Sequence, residues 1–162
     1  MLDSSSIINL FNAGALTLLC QLEGHDFFVS PMVVGECHGD CAAALLALQG
    51  DGCLSFIDDG TVDADHYLAL LEAHGLGAGE TECMAVAASD DYNVCCDDWK
   101  ARQAAANLVG EERVIGTLRL LQWCVQTFVI DCGEAFATFL SMKRTGGFLP
   151  DMQQSFFCGE GC

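Results

Sequence analysis

Gly79-Glu80-Thr81-Glu82-Cys83-Met84-Ala85-Val86-Ala87-Ala88, followed closely by Val94-Cys95-Cys96-Asp97-Asp98, decides the reading of this chain. The first run opens an apolar helix with two carboxylates. The second ends a short apolar strand with two more. Packing seldom calls for four acids in such places, because a charge beside apolar neighbours is costly unless it is paired or ligates something. A metal ion would use them.

Outward from this stretch, strands and helices alternate. Phe27-Phe28-Val29-Ser30 is a β-type run, and Pro31 starts a helix at its tolerated first position. That helix is expected to run on to Leu48, with Glu36 among apolar residues in its early turns. Leu54-Ser55-Phe56-Ile57 is a further strand. Asp63 and Asp65 open the next helix, where the helix dipole favours them. Helices are also expected from Trp99 to Leu108, from Thr117 to Cys124 and from Glu134 to Lys143, with Val114-Ile115-Gly116 as a short strand between the first two. At the start, Met1-Leu2 is a strand stub and Ile7, Ile8, Leu10 and Phe11 follow at helical spacing. Asp3 is either the cap of that helix or an acid at a strand-to-helix junction. The pattern implies an α/β fold with a mostly parallel sheet, helices on both faces and a site at the carboxyl ends of the strands.

Composition bounds the rest. The 162 residues suit one domain. The longest apolar run, Cys41 to Leu48, falls well short of the roughly 18 residues that span a bilayer, and no basic-then-apolar leader is seen. The 11 Cys have no framework spacing and are read as reduced, core-filling thiols of a cytoplasmic protein. The net charge is −17: residues 1–99 hold 17 of the 23 acids and no Lys or Arg, and all six cations follow. Such a surface does not attract nucleic acid by itself, so a phosphate substrate needs bound cations or a basic partner.

Other constellations are weaker. Cys37, His38 and Cys41 lack the spacing of a zinc site, and a fourth ligand would have to come from elsewhere. The acids at 58–65 do not follow the EF-hand pattern. The four His give no H-E-x-x-H, the glycines from Gly75 to Gly79 form no phosphate loop, and no nucleophilic triad is visible. Converging carboxylates are hard oxygen ligands suited to Mg²⁺ or Mn²⁺, which would offset their mutual repulsion.

Leu2-Asp3-Ser4-Ser5 with Ile8-Asn9-Leu10, the Glu36 region, Gly79-Glu80-Thr81-Glu82 with Ala85 and Ala87, Asp97-Asp98 with Ala101-Arg102, and Val114-Ile115-Gly116-Thr117-Leu118 together resemble a PIN domain, similar to the branch related to VapC-type toxins. The resemblance covers about residues 1–155. It implies a Rossmann-like three-layer α/β/α domain over 1–162, with 155–162 a flexible tail. It also implies an Mg²⁺- or Mn²⁺-dependent endoribonuclease, the toxin of a toxin–antitoxin pair, commonly homodimeric, cytoplasmic, and inhibited by a small basic antitoxin. Carried over, the catalytic acids are Asp3, Glu36, Glu82 and Asp98, with Glu80 and Asp97 as further metal-site candidates. Glu80 and Glu82 point about 200° apart on a helix, so only one should face a metal; Glu82 is favoured. Ser4, Ser5, Lys100 and Arg102 are the substrate-side residues. A binding module that has lost catalysis, and a Cys/His metal- or redox-sensing protein, are the alternatives.

Overall fold

A computed structural model describes residues 1–158. Its strands are short and all parallel. β1 (Phe28–Val29) pairs with β2 (Ser55–Phe56), and β3 (Val94–Cys95) pairs with β4 (Val114–Ile115). Leu2 joins the two pairs by bridging Val29 on one side and Cys95 on the other. The order across the sheet is therefore β2, β1, Leu2, β3, β4. The stub at Met1-Leu2 is the central strand, held by Leu2 N–H to Phe28 O at 2.8 Å and Asp3 N–H to Cys95 O at 2.9 Å. This puts Asp3 at the carboxyl end of the sheet, at its middle.

Parallel strands require long crossovers, and helices supply them. Leu2 passes through α1 (Ser4–Asn12) to β1, which passes through α2 (Pro31–Glu36) and α3 (Gly39–Gly50) to β2. α4 (Ala64–His74) and α5 (Ala78–Ser89) lead to β3, and α6 (Trp99–Val109) leads to β4. α7 (Thr117–Gln126) and α8 (Cys132–Arg144) complete the chain. The larger core gathers Ile7, Leu10, Val33, Leu45, Leu120, Leu121 and Phe139; the smaller packs Met84 and Ala87 of α5 on Ala101, Ala104 and Ala105 of α6, over Val94 and Val114. α5 touches α2, α4 and α6, which is why its residues from Cys83 to Ala87 are all buried and why it shows no polar face of its own.

Three sequence expectations need correction. The helix expected from Pro31 to Leu48 is two helices. The chain turns extended at Cys37 and His38, and Gly39 at φ 57° takes the left-handed conformation that glycine adopts at little cost, so Glu36 ends α2 instead of lying inside a helix. Not all thiols are free: Cys20 is bonded to Cys53 and Cys132 to Cys158, pairings across 33 and 26 residues that no local spacing announces. With four of the thiols paired, the cysteines do not indicate a cytoplasmic setting. Six other cysteines are free and buried. Of the tail expected over 155–162, residues up to 158 are docked: Gln154–Phe156 forms a 3₁₀ turn and Phe157 packs on Phe136 and Phe139, while 159–162 lie outside the described residues. No helix among the described residues is long and apolar enough to cross a membrane.

Candidate active site

Asp3 is the N-cap of α1, yet only 1 % of it is exposed. Its Oδ2 accepts from Ser5 N–H at 3.1 Å and Ser5 Oγ–H at 2.6 Å. Its Oδ1 is buried without any partner. Burial pushes this carboxyl above the usual Asp range, and the bonds from Ser5 only partly oppose that. The two readings of Asp3 are thus both met in one side chain: one oxygen caps, the other is left over.

Asp97 and Asp98 divide their work differently. Asp98 is exposed and caps α6, accepting from Ala101 N–H at 2.9 Å. Asp97 is consumed by the fold. Its carboxylate accepts from Asn9 Nδ2–H at 2.7 Å, Thr117 N–H at 2.9 Å and Thr117 Oγ1–H at 2.6 Å. Those bonds tie α1, the end of β3 and the start of α7 together. Ser5 adds to the same junction by accepting from Asp97 N–H at 3.0 Å.

The helix acids also separate. Glu36 Oε1 accepts from Gly79 N–H at 2.9 Å, and Glu80 Oε2 accepts from Gly77 N–H at 2.9 Å in a capping-box arrangement. Burial, then the charges on Asp3, Asp98 and Glu36, push the Glu80 carboxyl up, so Glu80 lies in the field of the other site acids. Glu82 Oε2 instead accepts from Met32 N–H at 2.8 Å, in the first turn of α2. Glu82, the acid favoured from sequence, thus holds one backbone N–H through one oxygen, as Glu36 and Glu80 do, while the charges of Asp3, Asp98 and Glu36 reach Glu80.

Among the substrate-side residues, Ser4 and Ser5 open α1 beside Asp3. Lys100 donates to Gly75 O at 2.7 Å. Arg102 donates from Nη1 to Cys96 O at 2.9 Å, next to Asp97. Asn9 and Thr117, which fix Asp97, were missed as site residues; the only signal was that both lie inside the blocks carrying the resemblance. Cys37 and Cys41 are buried and adjacent, but His38 is exposed and no third ligand joins them.

These residues fit a divalent cation in chemistry. The donors are hard oxygens, and the partnerless Asp3 Oδ1 is the kind of buried acceptor that a cation or a proton must satisfy. They are not gathered into a finished cage, since among the described residues no three His, Cys, Asp or Glu side chains converge at ligand spacing.

A family model described as a PIN domain (DUF3368) matches residues 1–155. The chain belongs to the PIN-domain family. No curated protein and no solved structure matches it. PIN domains are in general nucleases, hydrolases that usually bind a divalent metal. In this PIN domain Asp3 lies at the carboxyl end of a parallel sheet, where α/β folds place their sites, and the charges of Asp3, Asp98 and Glu36 reach Glu80.

Gly79 is part of that geometry. A Cβ there would come within 2.7 Å of Glu36 Oε2, so the flexible carboxylate must swing away. Gly79→Ala is expected to leave the fold intact, since alanine favours the helix by up to about 1 kcal/mol. It should weaken Mn²⁺ binding by about tenfold or more by displacing Glu36. A Mn²⁺ titration paired with a thermal melt checks both; unchanged affinity would remove Glu36 from the site.

Proposed function

We propose that this PIN domain is an Mg²⁺- or Mn²⁺-dependent endoribonuclease. The observation that carries the reading is the buried, partnerless Oδ1 of Asp3 at the sheet's carboxyl end, with the charges of Asp3, Asp98 and Glu36 reaching the Glu80 carboxyl. Asp3, Glu36, Glu80 and Asp98 would hold the ion, with Glu82 alongside and Asp97 as the residue that fixes the site's frame. When bound, the ion supplies Lewis-acid polarisation of a phosphodiester and a water of lowered pKa. Asp3, buried and capped by Ser5, offers one oxygen in a fixed direction. Glu36 and Glu80, each holding a backbone N–H through one oxygen, keep the other for ligation. Arg102, beside Asp97, is placed to orient a phosphate.

The two cores, one under α1, α3, α7 and α8 and one between α5 and α6, support reading the fold as three layers. The finer biology is proposed on the resemblance to VapC-type toxins and on charge: a toxin inhibited by a small basic antitoxin, acting as a homodimer. A chain of net charge −17 with no cation before Lys100 suits a cationic partner. Among the described residues no three acids converge at ligand spacing, which favours one competing reading, a PIN-like binding module with little catalysis.

A Mn²⁺ titration separates them. For the enzyme, Mn²⁺ should raise the melting temperature, by the equivalent of about 2.7 kcal/mol at 100 times Kd, and should switch on cleavage of single-stranded RNA. Glu80→Gln should cost more of that stabilisation than Glu82→Gln. No thermal shift and no cleavage would leave the binding module, and a larger loss from Glu82→Gln would restore Glu82 as the ligand.

A further inference from the structure

Half of the chain's six cations meet along one groove. Arg102, Arg119 and Lys143 line a cleft of about 900 Å³ between the start of α7 and the segment that follows α8. Two of the other three are spent on the fold: Lys100 holds Gly75 O, and Arg113 holds the carbonyls of Ala87, Asp90 and Tyr92. In a molecule of net charge −17 the lining sums to +1, three cations against Asp97 and Asp151. Two acids share the lining, but neither is idle. Asp97 accepts from Asn9 and Thr117, and Asp151 is paired with Lys143.

The same groove leaves aromatic rings in solvent. Trp99 is 69 % exposed, Phe148 98 % and Phe156 37 %. Rings so exposed gain little from the core and present free faces. Asp97, Trp99 and Arg102 are in its lining, and Asp98, between Asp97 and Trp99 in the chain, caps the helix that carries Arg102.

We infer that this groove carries the single-stranded RNA segment leaving the cleavage site, with phosphates on Arg102 and Arg119 and bases stacked on Trp99 and Phe148. The inference rests on the ribonuclease reading and adds where the substrate lies. Cations beside exposed aromatic rings are what sequence-tolerant single-strand binding needs, because every base offers a π-face and every link a phosphate. A duplex hides its base faces and would gain nothing from the rings. The groove also eases the charge problem of the sequence: beyond the carboxylates, the RNA path runs over Arg102, Arg119 and Lys143, in the part of the chain that carries the Lys and Arg.

The test is fluorescence anisotropy of the full chain with a fluorescein-labelled single-stranded oligoribonucleotide of about 12 nucleotides, in EDTA so that binding is read without cleavage. Trp99→Ala and Phe148→Ala should each raise Kd about tenfold. Arg119→Gln should flatten the salt dependence of log K by about 0.7. All three side chains are exposed, so the fold should survive. The matching duplex should bind more weakly than the single strand. Wild-type affinity and salt slope in all three variants, equal binding of duplex, or no binding by the wild type would overturn the inference. So would loss of self-association in sedimentation by Phe148→Ala with RNA binding unchanged, which would make the groove an interface between copies. Variants that bind normally while the wild type cleaves RNA would refute the groove alone; weakened binding with no cleavage by the wild type in Mn²⁺ would refute the ribonuclease reading alone.

Discussion

Asp3→Asn is expected to lower Mn²⁺-dependent RNA cleavage by at least about 100-fold without weakening the metal-free fold. Asparagine is as good a helix N-cap as aspartate, so the bonds from Ser5 to the cap survive. What is lost is the charge on a buried carboxylate with one partnerless oxygen. The pH dependence follows from the same burial. The folded Asp3 pKa lies above its ordinary value of 3.8, so its protonated form favours folding. The stability Asp3 contributes is fully present below 3.8 and is lost as pH rises through the raised folded value. Above that window the metal-free wild type should therefore be no more stable than Asp3→Asn. Mn²⁺ needs the ionised carboxylate and should bind more tightly as pH rises through the same window. Melts across pH, with and without Mn²⁺, check both halves. Full cleavage activity in Asp3→Asn would remove this residue from the chemistry.

Asp97→Ala should act on the fold instead. It removes the shared acceptor of Asn9 and Thr117, and Thr117 is fully buried. Leaving such donors unsatisfied costs about 2–4 kcal/mol in total, a fall in Tm of roughly 5–15 °C for a chain of this size. Asp98→Ala loses only a helix cap, about 1 kcal/mol, but loses a site carboxylate with it. The pair therefore predicts opposite profiles: Asp97→Ala melts early, while Asp98→Ala stays folded and inactive. A Tm for Asp97→Ala within about 1 °C of the wild type would contradict the account of this junction.

That division of labour marks the limit of what the sequence shows. The doubled acid after a short apolar strand is visible in Val94-Cys95-Cys96-Asp97-Asp98. Which of the two is structural depends on Asn9, 88 positions away, and Thr117, 20 away, and no local pattern encodes such a meeting. Asp3 was legible because an acid directly after an apolar stub and before a helical period has few places to go in a parallel sheet. The choice between Glu80 and Glu82 was reduced to one by helical geometry, yet the geometry is silent on which face meets Asp3. The structure adds that Met32 N–H in the first turn of α2 takes Glu82, while the charge of Asp3 reaches Glu80, and neither contact is encoded locally. The break after Glu36 was hidden because Cys37-His38-Gly39 carries no proline, and the helix hydrophobicity resumes at once. The alternation of strands and helices, by contrast, lies in local periodicity and turn residues, and it reads through to the parallel order.

The central claim is that these carboxylates hold a divalent ion through the free oxygen of Asp3. Anomalous diffraction from crystals grown in Mn²⁺ tests it most directly. The account predicts a manganese peak within coordination distance of Asp3 Oδ1, with oxygens of Glu36, Glu80 or Asp98 completing the shell. A manganese peak only elsewhere, or no peak beside Asp3 at saturating Mn²⁺, would contradict it.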